Sequence, residues 1–123
     1  MPILRRARPR AADADDVRSD LPQGTLDLLI LKVLAPEPLH GYAIAQQIEQ
    51  LSGDTLTIEQ GSLYPALERL QKRGWITAKW GQSPTGRKAR YYTLTAAGRK
   101  QLGEEISSFD AMLVAINRVL RRA

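Results

Sequence analysis

Apolar residues recur along this chain with two different periods, and the change between them marks out its elements. From Gln23 to Ala35, Leu26, Leu29, Ile30, Val33 and Leu34 fall at helical spacing before Pro36 and Pro38 stop the run, which predicts a mostly buried first helix. A second helix is predicted from Gly41 to Leu51, with Ile44, Ile48 and Leu51 on one stripe and Gln46, Glu49 and Gln50 on the other, ending at Ser52-Gly53. Leu39 to Gly41 then makes a tight turn into it. A third helix, roughly Gln60 to Arg73, directs Leu63, Leu67 and Leu70 inward and stops at Gly74. Proline lacks an amide hydrogen and suits a first helical turn, so Pro65 predicts a start near Gly61 and Ser62, with free amides there for a phosphate.

After Gly74 the period falls to two. Ile76, Ala78 and Trp80 alternate with Trp75, Thr77 and Lys79, a turn-rich segment Gly81 to Lys88 reverses the chain, and Arg90 to Thr95 returns with Tyr92 and Leu94 toward the core. Thr95 is placed to cap the last helix. That helix, about Ala96 to Arg121, carries Leu102, Ile106, Phe109, Leu113, Ile116 and Leu120 at alternating steps of four and three, the narrow seam of a coiled coil. It reads as a dimerisation helix; the alternative is packing back on its own domain.

The predicted fold is mainly α with a small β-hairpin: three helices and a cationic ribbon, the form of a winged helix-turn-helix, plus a C-terminal dimerisation helix. A chain of 123 residues supplies one modest core. Residues 1–20 hold five Arg and four Asp with few large apolar side chains, and read as a flexible arm, residues 21–95 as the DNA-binding domain and 96–123 as the dimerisation helix.

Charge sharpens this picture. The net charge is +5, and from Arg69 to Lys100 there are nine Lys or Arg and no Asp or Glu, a single-sign cluster that favours a polyanionic partner. Cysteine is absent, which excludes disulfides and thiolate chemistry and suits a reducing cytoplasm. Met1 to Arg10 carries four arginines and no apolar stretch of signal or membrane-span length, so a cytoplasmic location without membrane attachment is expected. There is no GxxxxGK loop, no HExxH and no nucleophile with a base nearby. The sole histidine, His40, lacks a partner at metal or triad spacing and reads as a helix cap or packing residue. An enzyme, a cofactor and a metal are therefore not expected.

Duplex DNA presents a dense row of phosphates, so Lys and Arg supply affinity while side chains near the start of a recognition helix read base edges. Gln60, Ser62 and Tyr64 lie at that start, with Arg69 one to two turns on. Ser62 reads equally as a cap, and Tyr64 also suits packing under the first helix. At the ribbon's tip Arg87, Lys88 and Arg90 are the candidates for phosphate or minor-groove contact. Lys72 and Arg73 read as solvating the end of the third helix.

Three ordered segments carry a resemblance: Leu39-His-Gly-Tyr-Ala-Ile, Gly61-Ser-Leu-Tyr-Pro-Ala-Leu-Glu-Arg-Leu, and Gly86-Arg-Lys-Ala-Arg-Tyr-Tyr-Thr-Leu-Thr-Ala-Ala-Gly. With them the chain resembles the PadR family of bacterial transcriptional regulators over roughly Gly24 to Leu120. The resemblance implies an N-terminal winged helix-turn-helix, a C-terminal helical dimerisation region, and repression of nearby genes relieved by a small molecule. It also implies backbone contact by Tyr42, a position that equally suits core packing. The single C-terminal helix is similar to the shorter of the family's two architectures.

The leading expectation is a homodimeric repressor of double-stranded DNA, two-fold symmetric and hence reading a pseudo-palindromic operator. One rival is a winged-helix protein-interaction module whose basic wing meets an acidic protein. Another is a sensor of a small aromatic or hydrophobic effector, with a pocket between the dimer helices lined by Trp75 or Trp80 and Phe109; ordinary core packing is the plainer reading of those rings.

Overall fold

The computed structural model describes residues 21–122, so the arm expected over residues 1–20 lies outside the described residues. Helix α1 (Gln23–Leu34) leads through a two-residue strand β1 (Leu39–His40) into α2 (Gly41–Leu51). Helix α3 (Gln60–Lys72), the hairpin strands β2 (Ile76–Gln82) and β3 (Lys88–Leu94), and the long α4 (Ala96–Leu120) follow. Strand β1 adds to the hairpin as a third antiparallel strand, in the order β1-β3-β2, with Leu39 opposite Tyr92 and Ile76 opposite Leu94. Two residues are too short a run for a period to show, so the sequence indicated only a turn there.

The helices meet over one core. Ile30, Leu31 and Leu34 of α1, Ile44 of α2, Leu63, Leu67 and Leu70 of α3 and Ile76 of β2 are its most deeply buried large side chains. Leu28 and Leu31 bury a second face of α1, as expected of a helix enclosed by α2, α3 and α4. Leu51 does not join its stripe: it ends α2 in solvent, where the chain turns away through Gly53 and Asp54, both at positive φ.

Pro65 sits one turn deeper than the sequence suggested. Helix α3 begins at Gln60 with Glu59 at its N-cap position, so Pro65 lies inside the helix and the carbonyl of Gly61 has no helical donor. The first turn is closed by Glu59, whose carbonyl accepts from the amides of Ser62 (3.0 Å) and Leu63 (2.9 Å). Ser62 is therefore within the helix and is not its cap.

The link between sheet and α4 is tightly built. Thr95 caps α4 as expected: its Oγ1 accepts from the Gly98 amide at 2.9 Å and donates to the Gly74 carbonyl at 2.7 Å. Gly98 is buried against Trp75, and a Cβ on it would fall 2.0 Å from the Trp75 carbonyl oxygen. That contact leaves no room between the start of α4 and the backbone that enters β2.

Candidate nucleic-acid interface

Two elements build the candidate interface, the start of α3 and the distal end of the hairpin. On α3 the inward stripe leaves Gln60, Ser62 and Tyr64 exposed at the amino-terminal end. On the hairpin, one face carries Ile76, Ala78, Trp80 and Gln82 from β2 and Leu94, Tyr92, Arg90 and Lys88 from β3, paired across the strands in that order. Its proximal end is core. Its distal end is basic and aromatic.

The turn joining the strands is ordered by its own hydrogen bonds. The Ser83 amide donates to the Arg87 carbonyl (2.7 Å), the Gly86 amide to the Ser83 carbonyl (2.8 Å), and the Arg87 amide to Ser83 Oγ (3.3 Å). Gly86 takes φ +85°, a left-handed conformation that a side chain disfavours. Arg87, Lys88 and Arg90 all remain exposed, so the tip presents its charge to solvent.

His40 holds the opposite wall. It is the N-cap of α2, Nδ1 accepting from the Ala43 amide at 3.2 Å, and its ring meets Tyr91 edge-on at 5.6 Å. This agrees with the capping role expected of it. Tyr64 lies across the first turn of α2, so close that a Cβ on Gly41 would sit 2.7 Å from its hydroxyl oxygen. The tyrosine is 45% exposed, packed on α2 along one edge and open on the other. Tyr42 is 65% exposed and does not enter the core.

These walls enclose a cleft of about 460 Å³, lined by His40, Tyr42, Tyr64, Trp80, Lys88 and Arg90 among others. A smaller adjoining cleft joins Tyr42 and Tyr64 to Gln60. Tyr92 closes the floor, and burial pushes its phenol above the ordinary value, against the pull of Arg90 and with a smaller push from Tyr64. Of the residues singled out from sequence, Tyr42, Gln60, Tyr64, Lys88 and Arg90 therefore share one surface, with Arg87 beside Lys88 at the tip.

Arg69 and Ser62 face elsewhere. Arg69 is drawn back to α1, where its Nη2 donates to Asp27 Oδ1 at 2.8 Å. The Gln23 amide oxygen, in the orientation that satisfies both amide atoms, accepts from Arg69 Nη1 (2.7 Å) and Nε (3.3 Å). Its guanidinium is thus committed within the domain, a partner that separation in sequence concealed. Ser62 borders a third cleft with Gly61, Pro65, Arg69 and Gln23.

The seam on α4 divides. Leu102 is 6% exposed and belongs to the domain core, and Phe109 packs against that core half-buried, so both are spent on their own chain. Ile106, Leu113, Ile116 and Leu120 stay exposed. Of the rings named for the sensor alternative, Trp75 and Phe109 both pack against the domain core, as the plainer reading has it. Trp75 is half-buried near the α1–α4 junction, beneath the Arg73 guanidinium at 5.1 Å, whereas Trp80 stands 63% exposed on the hairpin. Trp80 is the surface residue that the sequence reading missed as a candidate for this interface. Its signal was there: the alternation that buries Ile76 carries Trp80 on to the cationic end of the same face.

No helix among the described residues is long and apolar enough to cross a membrane, and no group of three or more His, Cys, Asp or Glu among them could hold a metal ion.

Comparison with known proteins agrees with this architecture. Residues 30–104 match the profile of the Transcriptional regulator PadR-like family. An uncharacterised protein from Lysinibacillus sphaericus is 33% identical over 76% of this chain and 85% of its own length. The Escherichia coli transcriptional regulator YqjI is 38% identical over 46% of this chain, a stretch that spans 27% of that regulator. Among solved structures, a PadR family transcriptional regulator from Eggerthella lenta superposes with a TM-score of 0.73 at 27% identity, over 93% of this chain and all of that one. A PadR-like transcriptional regulator from Bacillus cereus gives 0.70 at 31% identity, over 82% of this chain and 96% of that one.

Proposed function

This chain belongs to the PadR-like family of transcriptional regulators, and on that premise we propose that it is a homodimeric repressor reading a pseudo-palindromic operator, released from DNA by a small-molecule effector. In this reading α3 enters the major groove with Gln60 and Tyr64 toward the bases, and the hairpin is a wing whose Arg87, Lys88 and Arg90 neutralise phosphates. The observation that carries it is the shared surface: polar start of α3, exposed tyrosines and wing cations bound one cleft system.

Dimerisation rests on α4. Ile106, Leu113, Ile116 and Leu120 remain as an exposed stripe at coiled-coil spacing once Leu102 and Phe109 are taken by the domain core, and apolar surface of that kind gains by meeting a second copy. Two domains held by such a pair would present two α3 helices to one face of a duplex. An effector that favours a different spacing between them would then lower affinity through its preference for that state. The cleft at the α1, α3 and α4 junction, bordered by Trp75, Arg69 and Glu105, is where a ligand would act on both the dimer helix and the recognition helix.

The test is fluorescence anisotropy on duplex DNA from upstream of its own gene against scrambled DNA, across a salt series. Binding roughly a hundredfold tighter to the upstream duplex, with a salt slope that flattens by about two when Arg87 and Lys88 become Ala, is expected. Equal weak binding to both duplexes would contradict sequence-specific control by that region.

A further inference from the structure

Trp80 departs from the pattern of the hairpin face it belongs to. Ile76 is 1% exposed and Ala78 is half-buried, yet the next residue on that face, the largest of the three, is in solvent. Its ring is not loose. Lys88 Nζ lies 5.8 Å and Arg90 Cζ 5.7 Å from its centroid, both within the range of cation–π attraction. Arg90 is also its direct cross-strand partner, so the indole is held by the strand register and by charge together.

Outside α4, the exposed large apolar side chains among the described residues are Tyr42, Leu51, Tyr64 and Trp80, and three of these four line the same cleft. An apolar ring kept in water beside two cations is suited to a partner that alternates apolar and anionic groups at short intervals. A nucleic-acid backbone does so, sugar after phosphate. A protein partner would instead have to desolvate Lys88, a residue type depleted from the cores of protein interfaces.

We propose that Trp80 is a DNA-contact residue whose indole face lies against a deoxyribose of the duplex backbone, while Lys88 and Arg90 take the phosphates on either side of that sugar. This deepens the DNA-binding reading and rests on it, adding a contact that is neither a phosphate nor a base. Two consequences follow from the chemistry. A sugar contact carries no base information, so it strengthens binding to every sequence equally. It releases no counterions, so it leaves the salt dependence alone.

The experiment measures full-length protein, Trp80→Ala and Trp80→Phe by anisotropy on the upstream and the scrambled duplex over a salt series, with circular dichroism melts to show that the exposed substitution leaves the fold intact. Expected is a loss of roughly tenfold for Trp80→Ala on both duplexes with an unchanged salt slope, mostly recovered by Trp80→Phe. In a Trp75→Phe protein, where Trp80 is the sole tryptophan, either duplex should change its emission and shield it from acrylamide. Binding by Trp80→Ala as tight as that of the unaltered protein would overturn the inference while leaving the DNA reading in place. So would a loss accompanied by a slope shallower by about two, since the ring would then serve only to hold its two cations. If the unaltered protein binds neither duplex at low salt, the DNA reading itself falls, and the sugar contact with it.

Discussion

Helix α3 and the distal part of α4 carry apolar stripes of similar spacing, yet Leu63, Leu67 and Leu70 are at most 1% exposed while Ile106, Leu113, Ile116 and Leu120 are 36–68% exposed. Helix α3 is enclosed because α1, α2 and β2 all lie against it. Helix α4 departs: its first turns are anchored by Thr95, by Gly98 against Trp75, and by the Arg99 guanidinium donating to the Ala35 carbonyl at 3.3 Å. Among the described residues, no element of the domain covers it beyond Phe109. A period therefore reports which face of a helix seeks apolar company, and the surrounding chain decides whether that company is its own.

Leu67→Asp places an unpaired carboxylate in the centre of the core, and the expected cost, more than about 4 kcal/mol, should leave little cooperative unfolding signal in thermal circular dichroism. The same chemistry on α4 should spare the fold. Ile106→Asp with Leu113→Asp is expected to give monomers by sedimentation velocity, with the melt of the winged domain retained and DNA affinity reduced; an unchanged dimer would remove α4 from the interface.

Gly98→Ala would force apart α4 and the Trp75 backbone, and we expect about 2–3 kcal/mol of destabilisation in urea, well above an ordinary helical glycine replacement, which is favourable. Asp27→Asn should cost about 1 kcal/mol, because both members of its pair with Arg69 retain partial access to water. The loss of Thr95 Oγ1 in Thr95→Ala should be similar, about 1 kcal/mol, as for other N-caps. A Gly98→Ala protein as stable as the unaltered chain would mean that α4 shifts to make room for the added methyl.

Much of this molecule was determined by sequence alone, for local reasons. The bounds of α2, the inward faces of α1 and α3, the hairpin with its Gly86 turn, the caps at His40 and Thr95 and the stop at Gly74 all follow from periodicity, cap chemistry and positive φ, which act over a few residues. The three family segments and the single-sign charge between Arg69 and Lys100 likewise pointed to a DNA-binding regulator without coordinates.

What tertiary structure decided involves residues far apart in the chain. Strand β1 exists only because β3 offers it an edge, and Arg69 turns away from the candidate interface only because Asp27 and Gln23, on another helix, satisfy its guanidinium. Leu102 and Phe109 were indistinguishable from the rest of their seam until the domain came to lie against them. Trp80 belongs to the same class, its alternation placing it on the face of Ile76 and only the extent of the core leaving it in solvent beside two cations. Local propensity is written in neighbouring residues, whereas burial and pairing depend on which surfaces the folded chain brings together.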